Sequence, residues 1–467
     1  MQEQQYVELY DLIKTAFIEM QEMVKTSKDN HKYLFSHHDF PKLNSYRDNG
    51  MPNLSTFFWT DGPTDYSSLF KSDDEHYYFY EKIPSFKQIL EYYANNSSDF
   101  VEHPYFRDIK KKESLYQRFF AYDLLEAFDC YMHATAEDEF CEETFREILF
   151  RLFNRFFQKD LPISICVPIL LTRFEDEEYS IKEGVRIRKL TDSELLSSYS
   201  IGGYSDTYEL SLVSSATHIL EFQNYSVENA SVLSPFAWDY VDAYPVEMID
   251  KWFAAYRIVT LHDSGYGQLL AFPVNWGIRS GNLLDIHGIK IQKYPRAFIK
   301  KRLDISPTPL ATSEDIDMVT RLFLALIDNK ANSLNIAVKR LNMAYLREAD
   351  EDSILDLMIG IEALVTKDDF SEITYKVSAR TAVLLSTISN FQYSKKETFD
   401  LMKKLYRFRS RVVHGEAITE KHRIIKIRED TTISSIELAR TILESLILVV
   451  AAHPEYSDPT AIDSLFL

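Results

Sequence analysis

No run of this sequence approaches the roughly 20 consecutive apolar residues that a helix needs to cross a bilayer, which sets aside a helical membrane protein. Cysteine is scarce. Cys130, Cys141 and Cys166 are odd in number and widely spaced, which argues against both a disulfide framework and a structural zinc site. The N-terminal MQEQQYVELYDLIKTAF has no basic stretch leading into an apolar block, so it does not read as a secretory signal, and the expected compartment is the cytoplasm. Neither Gly202-Gly203 nor Gly265-Tyr266-Gly267 belongs to a phosphate-binding pattern, so both read as turns, and no cofactor is expected. There is no G-x-S-x-G, no cysteine in a nucleophile's setting, no internal repeat and no low-complexity segment.

What is present is an ordinary globular composition, 45% hydrophobic and 26% charged, over 467 residues, too long for one hydrophobic core. Two or three domains follow, in a multidomain α+β chain. Residues 1–160 read as mostly helical, with periodic apolar faces at 5–24, 84–94, 114–132 and 137–158 and an irregular aromatic-rich stretch at 31–80. Near Pro162 the pattern changes. ISICVPILLTRF, VRIRKL, HILEFQNYSV and LLAFPVNWGI read as strands, interrupted by a helix at 245–262, so 161–310 is taken as a mixed α/β segment. Ser306-Pro307-Thr308-Pro309 favours extended backbone and suits a linker. From residue 312 everything reads helical: a helix capped by Thr312 or Ser313, then 331–346, 350–365, 371–388, 394–413 and 432–452, forming a bundle over 311–453. The 454–467 tail is expected to hang loose.

A net charge of −19 argues at first against a polyanionic partner, because Lys and Arg dominate phosphate binding. The charge is uneven. Residues 403–428 hold Lys403, Lys404, Arg407, Arg409, Arg411, Lys421, Arg423, Lys426 and Arg428 against Glu416 and Glu420, and a ligand senses the local field.

The helix SKKETFDLMKKLYRFRSRVVHGE carries the chemistry. At 100° per residue Phe399, Met402, Tyr406, Arg409 and Val413 share one stripe, with Leu401, Leu405, Phe408 and Val412 beside it. Arg409 is then a permanent cation within an apolar stripe, which demands an anionic or hydrogen-bonding partner. A structural ion pair is the plain explanation. His414 supplies another: it lies five residues on, just before Gly415, a residue suited to ending a helix. An ideal helix separates the two by about 140°, but a long arginine and an unwinding helix end can bring both heads to one anion. A guanidinium grips phosphate oxygens and an imidazole moves protons near neutrality. Such a pair suffices for RNA cleavage through the 2′-hydroxyl without a metal.

The runs LMIGIEALVT (357–366), KVSARTAVLL (376–385) and LYRFRSRVVHGE (405–416) together resemble the HEPN domain of the ApeA-like families, in which an E-x-L helix and an R-x-A helix precede a Y-x-x-R-S-x-x-x-H-G helix. The resemblance covers the C-terminal third alone. It implies a helical bundle in which Arg409 and His414 are the catalytic pair of an R-x4–6-H motif, one holding the scissile phosphate and the other acting as general acid or base. It also implies a homodimer or higher homo-oligomer through the bundle, with paired motifs forming one composite ribonuclease site, and a role in prokaryotic antiphage defence or as a toxin-type effector, with residues 1–310 sensing a phage-derived trigger or gating access. Ser410 occupies the polar position after the arginine. Glu362 corresponds to the glutamate of the earlier helix and would orient Arg409, or else form a plain ion pair with Arg409 or Arg380. Tyr406 suits core or dimer packing. A non-catalytic HEPN dimerisation or nucleic-acid-binding module is the rival reading. No metal site is expected: His37-His38-Asp39 and Asp73-Asp74-Glu75-His76 carry metal-capable groups without helical ligand spacing and read as solvated loops.

Overall fold

A computed structural model describes residues 6–29, 34–37, 41–47, 50, 52–56, 62–70, 83–96, 112–135, 139–199, 201, 212, 215–229, 240–278, 283–295, 298, 308–367, 372–389, 391–428 and 431–466. His38, Asp39, the Asp73–His76 run, Gly202-Gly203 and Ser306-Pro307 lie outside them. The chain divides into two compact units. The first comprises residues 1–169, 177–244 and 268–291, and the second 170–176, 245–267 and 292–467. Residues 161–310 are therefore not a unit of their own. Most of their strands and a short helix at Asp192–Tyr199 join the N-terminal region, while residues 170–176, the helix at Val246–Thr260 and the stretch from 292 join the C-terminal one.

In the first unit, of helices α1 (Val7–Asp29), α2 (Phe86–Asn95), α3 (Lys112–Thr135) and α4 (Glu142–Phe157), the first, second and fourth bury one stripe each, whereas α3 is buried at most positions over residues 123–132. Phe17 of α1 meets Phe128 and Tyr131 of α3 and Phe145 of α4 at edge-on angles, with ring centroids 5.2–5.6 Å apart. A hairpin of β1 (Pro41–Tyr46) and β2 (Pro52–Thr56) lies within the stretch read as irregular. The strand-rich runs form a six-stranded sheet in the order β5-β6-β7-β3-β8-β9. Its members are β3 (Asp160–Pro168), β5 (Glu178–Lys182), β6 (Val185–Lys189), β7 (His218–Glu228), β8 (Tyr266–Pro273) and β9 (His287–Lys293). A short helix, α5 (Asp192–Tyr199), follows β6. The central strand β3 is buried nearly throughout, which explains its unbroken apolar run. Strands β5 and β9 are polar edge strands whose weak alternation left no signal.

The second unit gathers α6 (Val246–Thr260) with the C-terminal helices α7 (Ser313–Asp328), α8 (Asn332–Leu346), α9 (Asp350–Val365), α10 (Ile373–Leu385), α11 (Lys395–Val413), α12 (Glu420–Arg423), α13 (Ser435–Ala452) and α14 (Pro459–Asp463). A parallel pair, β4 (Arg173–Phe174) with β10 (Leu310–Ala311), completes it. What ties α6 here is Arg257, whose guanidinium stacks 4.3 Å over the Tyr345 ring of α8 and donates to the Ser264 carbonyl at 3.0 Å. Three expectations need correction. A hairpin of β11 (Ile424–Arg428) and β12 (Thr431–Ser434) interrupts the helices. The tail does not hang loose: Ile462 is fully buried and Asp463 accepts two hydrogen bonds from Arg380. Gly265 is not a turn but an extended residue bridged to Leu170, where a Cβ would fall 2.4 Å from the Lys293 carbonyl. No helix among the described residues is long and apolar enough to cross a membrane.

Candidate functional site

Helix α11 starts at a capping box: the Ser394 hydroxyl accepts from the Glu397 N–H, and the Glu397 carboxylate accepts from the Ser394 N–H. It ends at His414 and Gly415, whose φ of +66° suits glycine, with open space where a Cβ would stand. Its buried face is Thr398, Leu401, Met402, Leu405 and Phe408. The stripe through Phe399, Tyr406, Arg409 and Val413 is therefore the margin of the buried face and not its centre, and Val413 is 52% exposed. Only Met402 of that stripe is buried, because one helix turns too little of its surface toward the core for two full stripes.

At this margin Arg409 meets Glu362 of α9. The Arg409 Nε lies 3.8 Å from Glu362 Oε1, an ion pair too long for a hydrogen bond. Both atoms are buried and neither has a hydrogen-bond partner. Burial pushes the Glu362 carboxyl above its ordinary range, against the opposing pull of the Arg409 charge. The guanidinium also sits 5.6 Å from the centroid of the Tyr406 ring, whose hydroxyl burial likewise pushes up. Arg380, the other candidate partner for Glu362, instead forms a fork on Asp463, both bonds 2.7 Å, and donates to the Val365 carbonyl at 3.0 Å.

Ser410 is half-buried beside Arg409, and its carbonyl accepts from the His414 backbone N–H at 3.0 Å. His414 is exposed, and among the described residues its imidazole makes no hydrogen bond or ion pair with Arg409 or Glu362. One chain thus brings Glu362, Tyr406 and Arg409 together and leaves His414 free at the helix exit.

The basic run around this site is partly neutralised. Arg423 pairs with Asp350 and Glu351, Arg428 with Glu397 and Arg411 with Glu416. Among the described residues Lys403, Lys404, Arg407, Lys421 and Lys426 form no ion pair. Lys404 donates to the Lys426 carbonyl at 3.0 Å, linking the helix to the hairpin.

Two places in the first unit were weighed beside it. A cavity there is lined by Arg188, Glu194, Glu221 and Trp276 among others, and the first three already hydrogen-bond one another. His37, Asp129 and His133 converge elsewhere in that unit. Comparison with family models, with curated proteins and with solved structures returned no match.

Proposed function

We propose that the C-terminal bundle is a HEPN-type, metal-independent endoribonuclease acting in the cytoplasm as a homodimer, an antiphage defence or toxin-type effector gated by the N-terminal residues. The observation that carries this reading is the buried, hydrogen-bond-deficient Arg409 Nε, held at the helix margin by a carboxylate that does not saturate it. A guanidinium so placed retains donors for a phosphate, and the unpaired Lys403, Lys404 and Arg407 lie on the same helix. In the proposed reaction the ribose 2′-oxygen attacks phosphorus and the bond to the 5′-oxygen breaks. A base removes the 2′-hydroxyl proton, and an acid delivers one to the departing oxygen. The products are a 2′,3′-cyclic phosphate and a 5′-hydroxyl. Arg409 would stabilise the phosphorane charge and His414 would carry a proton. A second copy enters because within one chain no hydrogen bond or ion pair joins the exposed His414 to Arg409 or Glu362.

The rival, a non-catalytic dimerisation or nucleic-acid-binding module, draws on that same lack of a bond between His414 and Arg409. Cleavage of RNA by the full chain in EDTA separates them. Wild type should yield cyclic-phosphate ends. His414→Ala and Arg409→Ala should each lower the rate by about 10²–10⁴-fold with circular dichroism unchanged. Activity that survives both substitutions overturns the nuclease reading, and RNA binding without cleavage selects the rival.

A further inference from the structure

We propose that His37 Nε2, Asp129 Oδ2 and His133 Nε2, with the Thr64 carbonyl beside them, form a binding site for one divalent transition-metal ion, Zn2+ by preference. The site is built from local rules. Asp129 and His133 are four apart on α3, which stacks them on one face a turn apart. The other two groups come from a short antiparallel contact: Ser36 bridges Thr64, the His37 N–H donates to the Pro63 carbonyl at 2.9 Å and the Asp65 N–H to the Phe35 carbonyl at 2.8 Å. That contact holds His37 and Thr64 over the α3 face.

The distances suit four-coordination. His37 Nε2 lies 3.2 Å from Asp129 Oδ2, His133 Nε2 lies 3.7 Å from the same oxygen and 2.8 Å from the Thr64 carbonyl. Zinc bonds near 2.0–2.1 Å place neighbouring tetrahedral ligands roughly 3.3 Å apart, so small shifts seat an ion between these atoms. The three side-chain atoms all lie within 4.8 Å of one another. Asp129 is fully buried and its second oxygen is fixed: Oδ1 accepts from the Tyr66 N–H at 2.7 Å, which turns Oδ2 toward the imidazoles. The two histidine side chains are 20% and 10% exposed, leaving a way in for an ion. Two imidazole nitrogens select against calcium and magnesium, which take oxygen ligands, and favour the zinc class. Bound there, the ion would clasp the 34–37 and 62–66 segments to α3.

The test is metal content of the full chain after exhaustive chelation and reloading with Zn2+ alone, and the visible spectrum after reloading with Co2+ alone. Wild type should retain one ion per chain, show the d–d bands of a four-coordinate Co2+ and gain melting temperature on Zn2+ addition. His37→Gln and His133→Gln, both at partly exposed positions, should each weaken binding by more than the roughly 10–100-fold typical of losing an outer-shell contact, and abolish the melting shift. A chain that takes up neither ion overturns the proposal. So does binding undiminished in both histidine variants, which puts the ion elsewhere. Bound metal and not cleavage is the readout, so failure here and failure of the nuclease reading are distinguishable.

Discussion

Two regions of this molecule bury a glutamate against arginine, with opposite results. In the sheet of the first unit, Arg188 reaches both Glu194 oxygens at 2.7 and 2.8 Å and both Glu221 oxygens at 3.1 and 3.2 Å, while Arg186 adds a further bond to Glu221. Burial alone would push the Glu221 carboxyl up, but the hydrogen bonds and charge of Arg188 and Arg186 outweigh it and hold it below its ordinary range. In the helical bundle, Glu362 and Arg409 stand 3.8 Å apart with an unsatisfied atom on each, and burial wins. A saturated cluster holds a sheet together and offers a ligand nothing. An unsaturated one leaves donors to be completed by something else.

The largest test of this contrast is stability. Arg188→Ala leaves Glu221 and Glu194 buried without their fork, and should destabilise the first unit by about 3–5 kcal/mol in denaturant titration. A loss below about 1 kcal/mol would mean that the cluster does not hold the sheet.

Acid sensitivity comes next in size. Because the folded Glu221 carboxyl lies below its ordinary value of 4.5, its stabilisation is complete above that value and is lost as pH falls through the folded one. Glu221→Gln should be less stable at neutral pH, with the difference from wild type shrinking below pH 4.5. Parallel stability curves across that range would contradict the assignment.

How far the sequence reveals these features depends on how local they are. The α7 start was legible because its signals are adjacent: the Thr312 hydroxyl accepts from the Asp315 N–H, and the Asp315 carboxylate accepts from the Thr312 N–H. The buried face of α4 was legible from periodicity alone, whereas of the two stripes expected on α11 only that of Leu401, Leu405 and Phe408 is buried. The partition into units was not, since it depends on where α6 packs, and nothing in its own apolar pattern says which core it joins. The β11–β12 hairpin escaped because Ile424–Arg428, IIKIR, is short, breaks the alternation at Ile424-Ile425 and sits inside a charged run. Of the candidate site, Glu362 and Arg409 were legible as an anomaly of charge within apolar helices. The long, unsaturated geometry was not, because a residue string carries no distance. Asp129 and His133 were invisible for the same reason: four apart on one helix, they look like ordinary polar positions until His37 arrives from 92 residues away.

The smallest effect discriminates most finely. A double-mutant cycle measures what two groups do for each other after the separate consequences of removing each are subtracted. Between Arg188→Ala and Glu221→Gln the coupling should be the larger of the two, because two hydrogen bonds join that buried pair directly. Between Arg409→Lys and Glu362→Gln it should stay under about 1 kcal/mol, since a 3.8 Å pair without a hydrogen bond gives little in either direction. The sign for Glu362 runs opposite to that for Glu221. Its folded carboxyl lies above the ordinary value, so its ionisation lowers stability as pH rises through that window, and Glu362→Gln removes this loss at neutral pH. The single substitution should therefore not lower the melting temperature at neutral pH, and should slow RNA cleavage if the carboxylate orients the guanidinium. A coupling of several kcal/mol would show that Arg409 is held for structure, and its donors would then no longer be available to a phosphate.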